Sequence, residues 1–197
     1  MAALAIAIGV VIGLSLAVAS VSGGKPVRLL VGAYVELFRN VPLLLFVYLV
    51  FYGLPTQFDL RYGPTTSFIA TLSIYAGAYL VEVFRAGLQA VPGGLIDAGK
   101  AIGLSPWQRL LYVRLPTMLR IALPALGNNF VSLFKDTSVA AVIAVPELTF
   151  GAQWITLNSF RVVEVFMVIT VMYLGTGYAL LRIIRLFEAR VAVGRSA

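Results

Sequence analysis

Inside a long apolar run the chain carries two adjacent full charges, Lys135 and Asp136, followed by two hydroxyls, Thr137 and Ser138. On insertion scales a charge at the centre of a membrane span costs about 2.5–3.5 kcal/mol. Counted from Ile121, Lys135 lies roughly 20 Å along the run at helical rise, too deep to reach a headgroup layer easily. One ammonium and one carboxylate together answer both ends of a zwitterion. Adjacent helix positions do not face each other, so the pair need not satisfy itself. Two roles are open to it: contact with a translocated ligand, or pairing with other helices to hold a bundle. Arg39-Asn40, beside Pro42, is a second polar constellation. A proline break there would bare backbone groups to a water-filled path.

Other chemistry is excluded by what is absent. The 197 residues include no Cys and no His, so no disulfide, thiolate nucleophile, Cys/His metal site or imidazole base can form. The carboxylates are scattered, with no dyad and no nucleophile–base pair. An enzyme acting alone is not expected, nor a cofactor or metal. Gly94 to Lys100 has the Gly and Lys spacing of a phosphate-binding loop, but Ala101 stands where the magnesium-binding hydroxyl belongs and no buried strand precedes it.

The elements that must position these residues are membrane helices. Sixty per cent of the residues are hydrophobic and 12% charged, with mean hydropathy +0.96, an excess that a water-facing domain has no use for. Five spans are expected, at about Ala2–Val21, Val41–Leu54, Ser67–Phe84, Ile121–Val145 and Val162–Leu181, in one transmembrane domain over 1–197. The first is of spanning length, and its n-region lacks the Lys or Arg of a signal peptide. Gly9 and Gly13 within it have the GxxxG spacing that admits a close helix neighbour. Pro42 starts the second run or breaks one longer helix. Pro55–Thr66 and Pro146–Arg161 read as loops, and Arg182–Ala197 as a short basic tail.

Alternate loops place 12 of the 15 Lys and Arg on one side, among them Lys25, Arg28, Arg39, Arg85, Arg120 and Arg195, against Arg61 and Arg161 on the other. The positive-inside rule then puts the C-terminus and the 85–120 segment in the cytoplasm and the N-terminus outside. This asymmetry accounts for the net charge of +7 without nucleic acid, whose basic stripe with interleaved aromatics is missing.

The 85–120 segment is dense in helix signals. Leu95–Ile102 reads as a short helix with Asp97 in its first turn, where the macrodipole favours a carboxylate, and Gly103 supplies a left-handed end. Ser105-Pro106-Trp107-Gln108 is a capping box that opens a second helix, expected to stop near Leu115 at Pro116. The pair reads as a structured loop or, more sharply, as a docking knob for a cytoplasmic partner.

Asp97-Ala98-Gly99, three residues, Gly103-Leu104, and then Val113-Arg114-Leu115-Pro116 at the same spacing resemble the EAA motif of ABC importer permeases, with Asp97 for Glu, Gly99 for the second Ala and Val113 for Ile. Tyr34–Leu44, Glu82–Pro92, Leu123–Phe130, Lys135–Ser138 and Val145–Leu148 are similar to segments of the polar amino-acid permeases of histidine/glutamine/arginine type. Family members usually carry a further stretch before the point where this chain begins.

The resemblance implies a type I ABC importer permease fold in the bacterial inner membrane. It implies a coupling helix seated on ATP-binding-cassette ATPase subunits through Asp97, Ala98, Gly99, Gly103, Leu104, Leu115 and Pro116. It also implies a second permease chain, identical or paralogous, and a periplasmic or lipid-anchored solute-binding protein docking on Asp59–Tyr62 and Glu147–Arg161. Polar amino acids would then cross by alternating access along Arg39, Asn40, Lys135, Asp136, Thr137 and Ser138. The competing reading is an ion- or proton-coupled secondary transporter or channel using Lys135 and Asp136, against which the absence of an inverted repeat counts.

Overall fold

The computed structural model describes residues 1–192, so Arg195 lies outside the described residues. Helices follow in chain order: α1 (Ala2–Ser22), α2 (Lys25–Asn40), α3 (Leu43–Phe58), α4 (Pro64–Gln89), α5 (Gly93–Ala101), α6 (Pro106–Ile143), α7 (Leu148–Ser159) and α8 (Val162–Ala192). Four of them, α1, α4, α6 and α8, are each long and apolar enough to cross a membrane. The fifth expected span is the pair α2–α3, bent by 102°. Pro42 offers no N–H to continue α2, and Val41 before it is extended at φ −91° and ψ 128°, the conformation a following proline enforces.

α4 is the central post. Phe68, Leu72, Leu80, Phe84 and Leu88 on it are buried to 1% exposure or less. α1 packs parallel along it through a stripe of small residues, Ala5, Gly9, Gly13, Ala17 and Ser20, spaced at helical intervals. A Cβ added at Gly9 would sit 2.7 Å from Ala76 Cβ, and one at Gly13 would sit 2.7 Å from Leu80 Cβ. The GxxxG spacing is therefore a working interface, in which missing side chains let two backbones approach. α6 packs antiparallel on α4 through Gly87, Met118 and Ala122.

Of three Leu-Pro dipeptides absorbed without breaking their helices, Leu54-Pro55 and Leu115-Pro116 follow π turns, while Leu123-Pro124 lies within α6. In α6 the Leu115 N–H reaches five residues back to Leu110 O, making a π turn over Leu110–Arg114 just before Pro116. A wide turn carries the carbonyl that the proline ring would strike out of its way. The expectation that the helix stops at Pro116 is thus overturned. In α3 the same device precedes Pro55, with Leu54 N–H bonded to Leu49 O. Val50 O, robbed of its usual donor, accepts the Tyr62 hydroxyl instead.

Several boundaries shift from the sequence reading. The first expected loop shrinks from Pro55–Thr66 to Asp59–Gly63, because α3 continues through Pro55 and α4 starts at Pro64. The expected loop Pro146–Arg161 contains α7, capped by Glu147, whose Oε1 and Oε2 accept Phe150 N–H and Thr149 N–H at 2.6 and 2.9 Å. Two residues in the left-handed conformation, Ala144 at φ 55° and Phe160 at φ 57°, turn the chain on either side of it. The basic tail from Arg182 continues α8 to Ala192.

Candidate functional site

Two interrupted helices meet on one face of α4. α2 ends at Arg39-Asn40, and α6 changes at Thr137 from α-helix to a 3₁₀ segment that runs to Ile143. Between them stand Tyr75 and Tyr79, one turn apart on α4, with hydroxyls 3.1 Å apart and ring centroids at 4.9 Å. The Arg39 guanidinium lies 5.3 Å from the Tyr79 ring centroid, within cation–π range. Asp136 is half-buried and stands within electrostatic reach of the Tyr75 hydroxyl. The fold thus brings a cation and a carboxylate far apart in sequence into the same neighbourhood, Arg39 over the Tyr79 ring and Asp136 near Tyr75. Irregular backbone at membrane depth is tolerated where it lines a cavity or is buried in protein, and discontinuous helices are where transporters place their ligands.

The other path candidates are placed differently. Lys135 is exposed on this chain, and no ion pair joins it to Asp136 among the described residues. Thr137 is buried, and its hydroxyl donates to Phe134 O at 2.6 Å, which consumes its donor in the helix junction. Ser138 is half-buried beside it. Asn40 donates its amide to Glu36 O at 2.7 Å and Glu36 Oε2 at 2.9 Å, closing the end of α2. Tyr75 and Tyr79 escaped the sequence reading because a tyrosine pair at i,i+4 on an apolar helix is ordinary; the Tyr75–Tyr79 spacing was the only signal.

The second constellation is the α5–α6 turn. α5 begins at Gly93, two residues before the expected start, so Asp97 stands past the first turn and bonds Lys100 at 2.7 Å. Lys100 beside it holds the Asp97 carboxyl below its ordinary value. Gly94 and its neighbours lie on this helix, which removes the phosphate-loop geometry. Gly103 sits at φ +81° as expected. Leu104 N–H to Gly99 O at 3.0 Å and Gly103 N–H to Lys100 O at 2.9 Å complete a Schellman end. Ser105 and Gln108 form the reciprocal capping box.

Arg109 then locks the turn by donating to Leu104 O at 2.6 Å. Its stem passes Gly99 so closely that an added Cβ there would lie 3.3 Å from Arg109 Cγ. A Cβ at position 99 would therefore need the Arg109 stem to give by a few tenths of an ångström. Asp97, Ala98, Gly103 and Leu104 are gathered on this one protrusion, while Leu115 and Pro116 lie at the π turn at its root.

Residues 9–193 match the model of the binding-protein-dependent transport system inner membrane component. The chain belongs to that family. Among its relatives, the glutamine transport system permease protein GlnP of Escherichia coli is 37% identical over 191 residues, covering 96% of this chain and 87% of that protein. The probable glutamine ABC transporter permease protein GlnM of Bacillus subtilis is 34% identical, covering 87% of this chain and 79% of its own. The crystal structure of an amino acid ABC transporter with histidines superposes with a TM-score of 0.87 at 33% identity, over 96% of this chain and 88% of that one. An inward-facing methionine ABC transporter, at 19% identity, shares the fold with a TM-score of 0.76 over 96% of this chain and 88% of that one. The permease is thus a multi-pass, non-catalytic membrane subunit with the type I ABC importer fold, and hydrolysis of ATP belongs to a separate subunit.

Proposed function

We propose that this permease imports a polar amino acid, with Arg39 receiving the substrate carboxylate and Asp136 its ammonium across the Tyr75–Tyr79 pair. The observation that carries the reading is Arg39 over the Tyr79 ring with the Asp136 carboxylate near its neighbour Tyr75, each at a helix break. Relatives named as glutamine permeases, and a similar structure described with histidines, support the amino-acid class. The α5–α6 protrusion, stiffened by the Schellman end, the capping box and Arg109, fits the role of the coupling element that an ATPase subunit moves. A second permease chain closes the path, and a solute-binding protein delivers substrate to the outer connections around Asp59–Tyr62 and Glu147–Arg161.

The deciding measurement is uptake in vesicles containing the permease, its ATPase and the substrate-loaded binding protein. Uptake should require ATP inside the vesicle compartment that holds the ATPase and should persist when ion gradients are collapsed. Uptake driven by a proton or sodium gradient without ATP would instead support the ion-coupled reading.

A further inference from the structure

The end of α1 and the start of α6 line an open cleft of about 690 Å³ to which the transport reading assigns no ligand. Val18, Ala19 and Val27 form an apolar wall, and Trp107, Arg109 and Arg114 face it. Its position at the terminus of a membrane span puts it at the depth of lipid headgroups. The 63% exposed Trp107 suits that layer, where indole rings concentrate.

The cationic side of the cavity is only partly answered from within, by the bond from Arg109 to Leu104 O. Arg114 Nε is buried without a hydrogen-bond partner, and among the described residues neither Arg114 nor Arg109 forms an ion pair. The carboxylate of Asp97, on the adjoining helix, is already bonded to Lys100. Arg114 is half-buried with its Nε out of reach of water, and carboxylate and phosphate are the anions its fork-shaped donors match; the apolar wall beside it favours a phosphate that carries acyl chains. We infer that this cavity binds an anionic phospholipid, its phosphate on Arg114 and Arg109 and an acyl chain against Val18, Ala19 and Val27. Basic pockets between helices at a membrane face are a known setting for such headgroups. The bound lipid would bridge α1 to the α5–α6 protrusion, and its presence does not depend on which amino acid is carried or on the orientation of the chain.

The test uses the assembled transporter, extracted from nanodiscs made with equimolar phosphatidylglycerol and phosphatidylcholine, with retained lipids counted by native mass spectrometry. Wild type should retain phosphatidylglycerol preferentially. Arg114→Gln should lower that retention about tenfold, as loss of a charged hydrogen bond implies. Ala19→Trp, which fills the apolar wall and leaves both arginines in place, should lower it as well. Arg185→Gln, on α8 and away from the cavity, serves as the control and should change nothing. Equal retention of the two lipids by wild type would overturn the proposal even if a variant failed to assemble. So would unchanged retention in Ala19→Trp and Arg114→Gln. Preferential retention by the permease stripped of its ATPase, measured alongside, but not by the assembled transporter would assign the arginines to a carboxylate of that partner and overturn it equally. Transport assays on wild type are independent of these outcomes, so failure here leaves the amino-acid reading standing.

Discussion

Asp136 occupies the point where α6 gives up its α-helical hydrogen bonding, half-buried, with no cation within ion-pair distance among the described residues. If its partner is the substrate ammonium, Asp136→Asn keeps shape and loses about 1.5–3 kcal/mol of charged hydrogen bonding. Apparent affinity in the vesicle transport assay should then weaken roughly ten- to a hundredfold, with the melting temperature of the detergent complex unchanged. A lower melting temperature with unchanged affinity would make Asp136 a bundle-holding residue instead. Glycine 13 carries the opposite kind of burden, since its side chain must be absent. Gly13→Val places a Cβ 2.7 Å from Leu80 Cβ, and overpacking of this kind costs about 1–3 kcal/mol, to be read as a lower melting temperature of the assembled complex. The polar residues of the candidate site were legible to unequal degrees. Lys135 and Asp136 announce themselves because charge in an apolar run is expensive. Tyr75 and Tyr79 do not, because an aromatic on a membrane helix is unremarkable until the fold lays Arg39 over one ring.

Between α5 and α6 the chain must reverse in four residues, and Gly103 makes this possible by adopting φ +81°. Gly103→Asp forces a side chain into that left-handed region and loosens the Schellman bonds. Inserted protein should be present at normal level while ATP-driven uptake disappears and the ATPase no longer co-purifies. Normal uptake by this variant would count against the protrusion as the coupling element. The turn was readable because its signals are local: a glycine after a short helix, a Ser-Pro-x-Gln box, a Pro-interrupted run. The missed elements depend on distant parts. α7 is nucleated by a glutamate cap rather than Ser, Thr, Asp or Asn, and Glu147 is further held by the Tyr173 hydroxyl from α8 at 2.9 Å. The passage of α6 through Pro116 requires a π turn that no residue type signals. Prolines therefore marked real irregularities while misplacing the helix ends.

Across the whole molecule, burial and charge point in the same direction. Sixty-one per cent of the apolar window of α4 is buried within the chain but only 6% of that of α8, so α8 needs lipid or another protein along most of its length. The proposed second permease chain would cover part of it. The charge asymmetry from which orientation is predicted needs one revision. Arg39, counted among loop residues, lies over Tyr79 in the middle of α4, and removing it leaves eleven basic residues on one side against Arg61 and Arg161 on the other. With that imbalance, the positive-inside rule predicts a cytoplasmic α5–α6 protrusion. Because the chain has no cysteine, single cysteines report position without background. Exposed positions are available at both ends: Gly63 and Asn158 on one, Gln108 on the other. A membrane-impermeant thiol reagent added to intact cells or right-side-out vesicles should label Gly63→Cys and Asn158→Cys, and should reach Gln108→Cys only after permeabilisation. Labelling of Gln108→Cys from outside would invert the assignment and place the α5–α6 protrusion out of reach of any cytoplasmic ATPase.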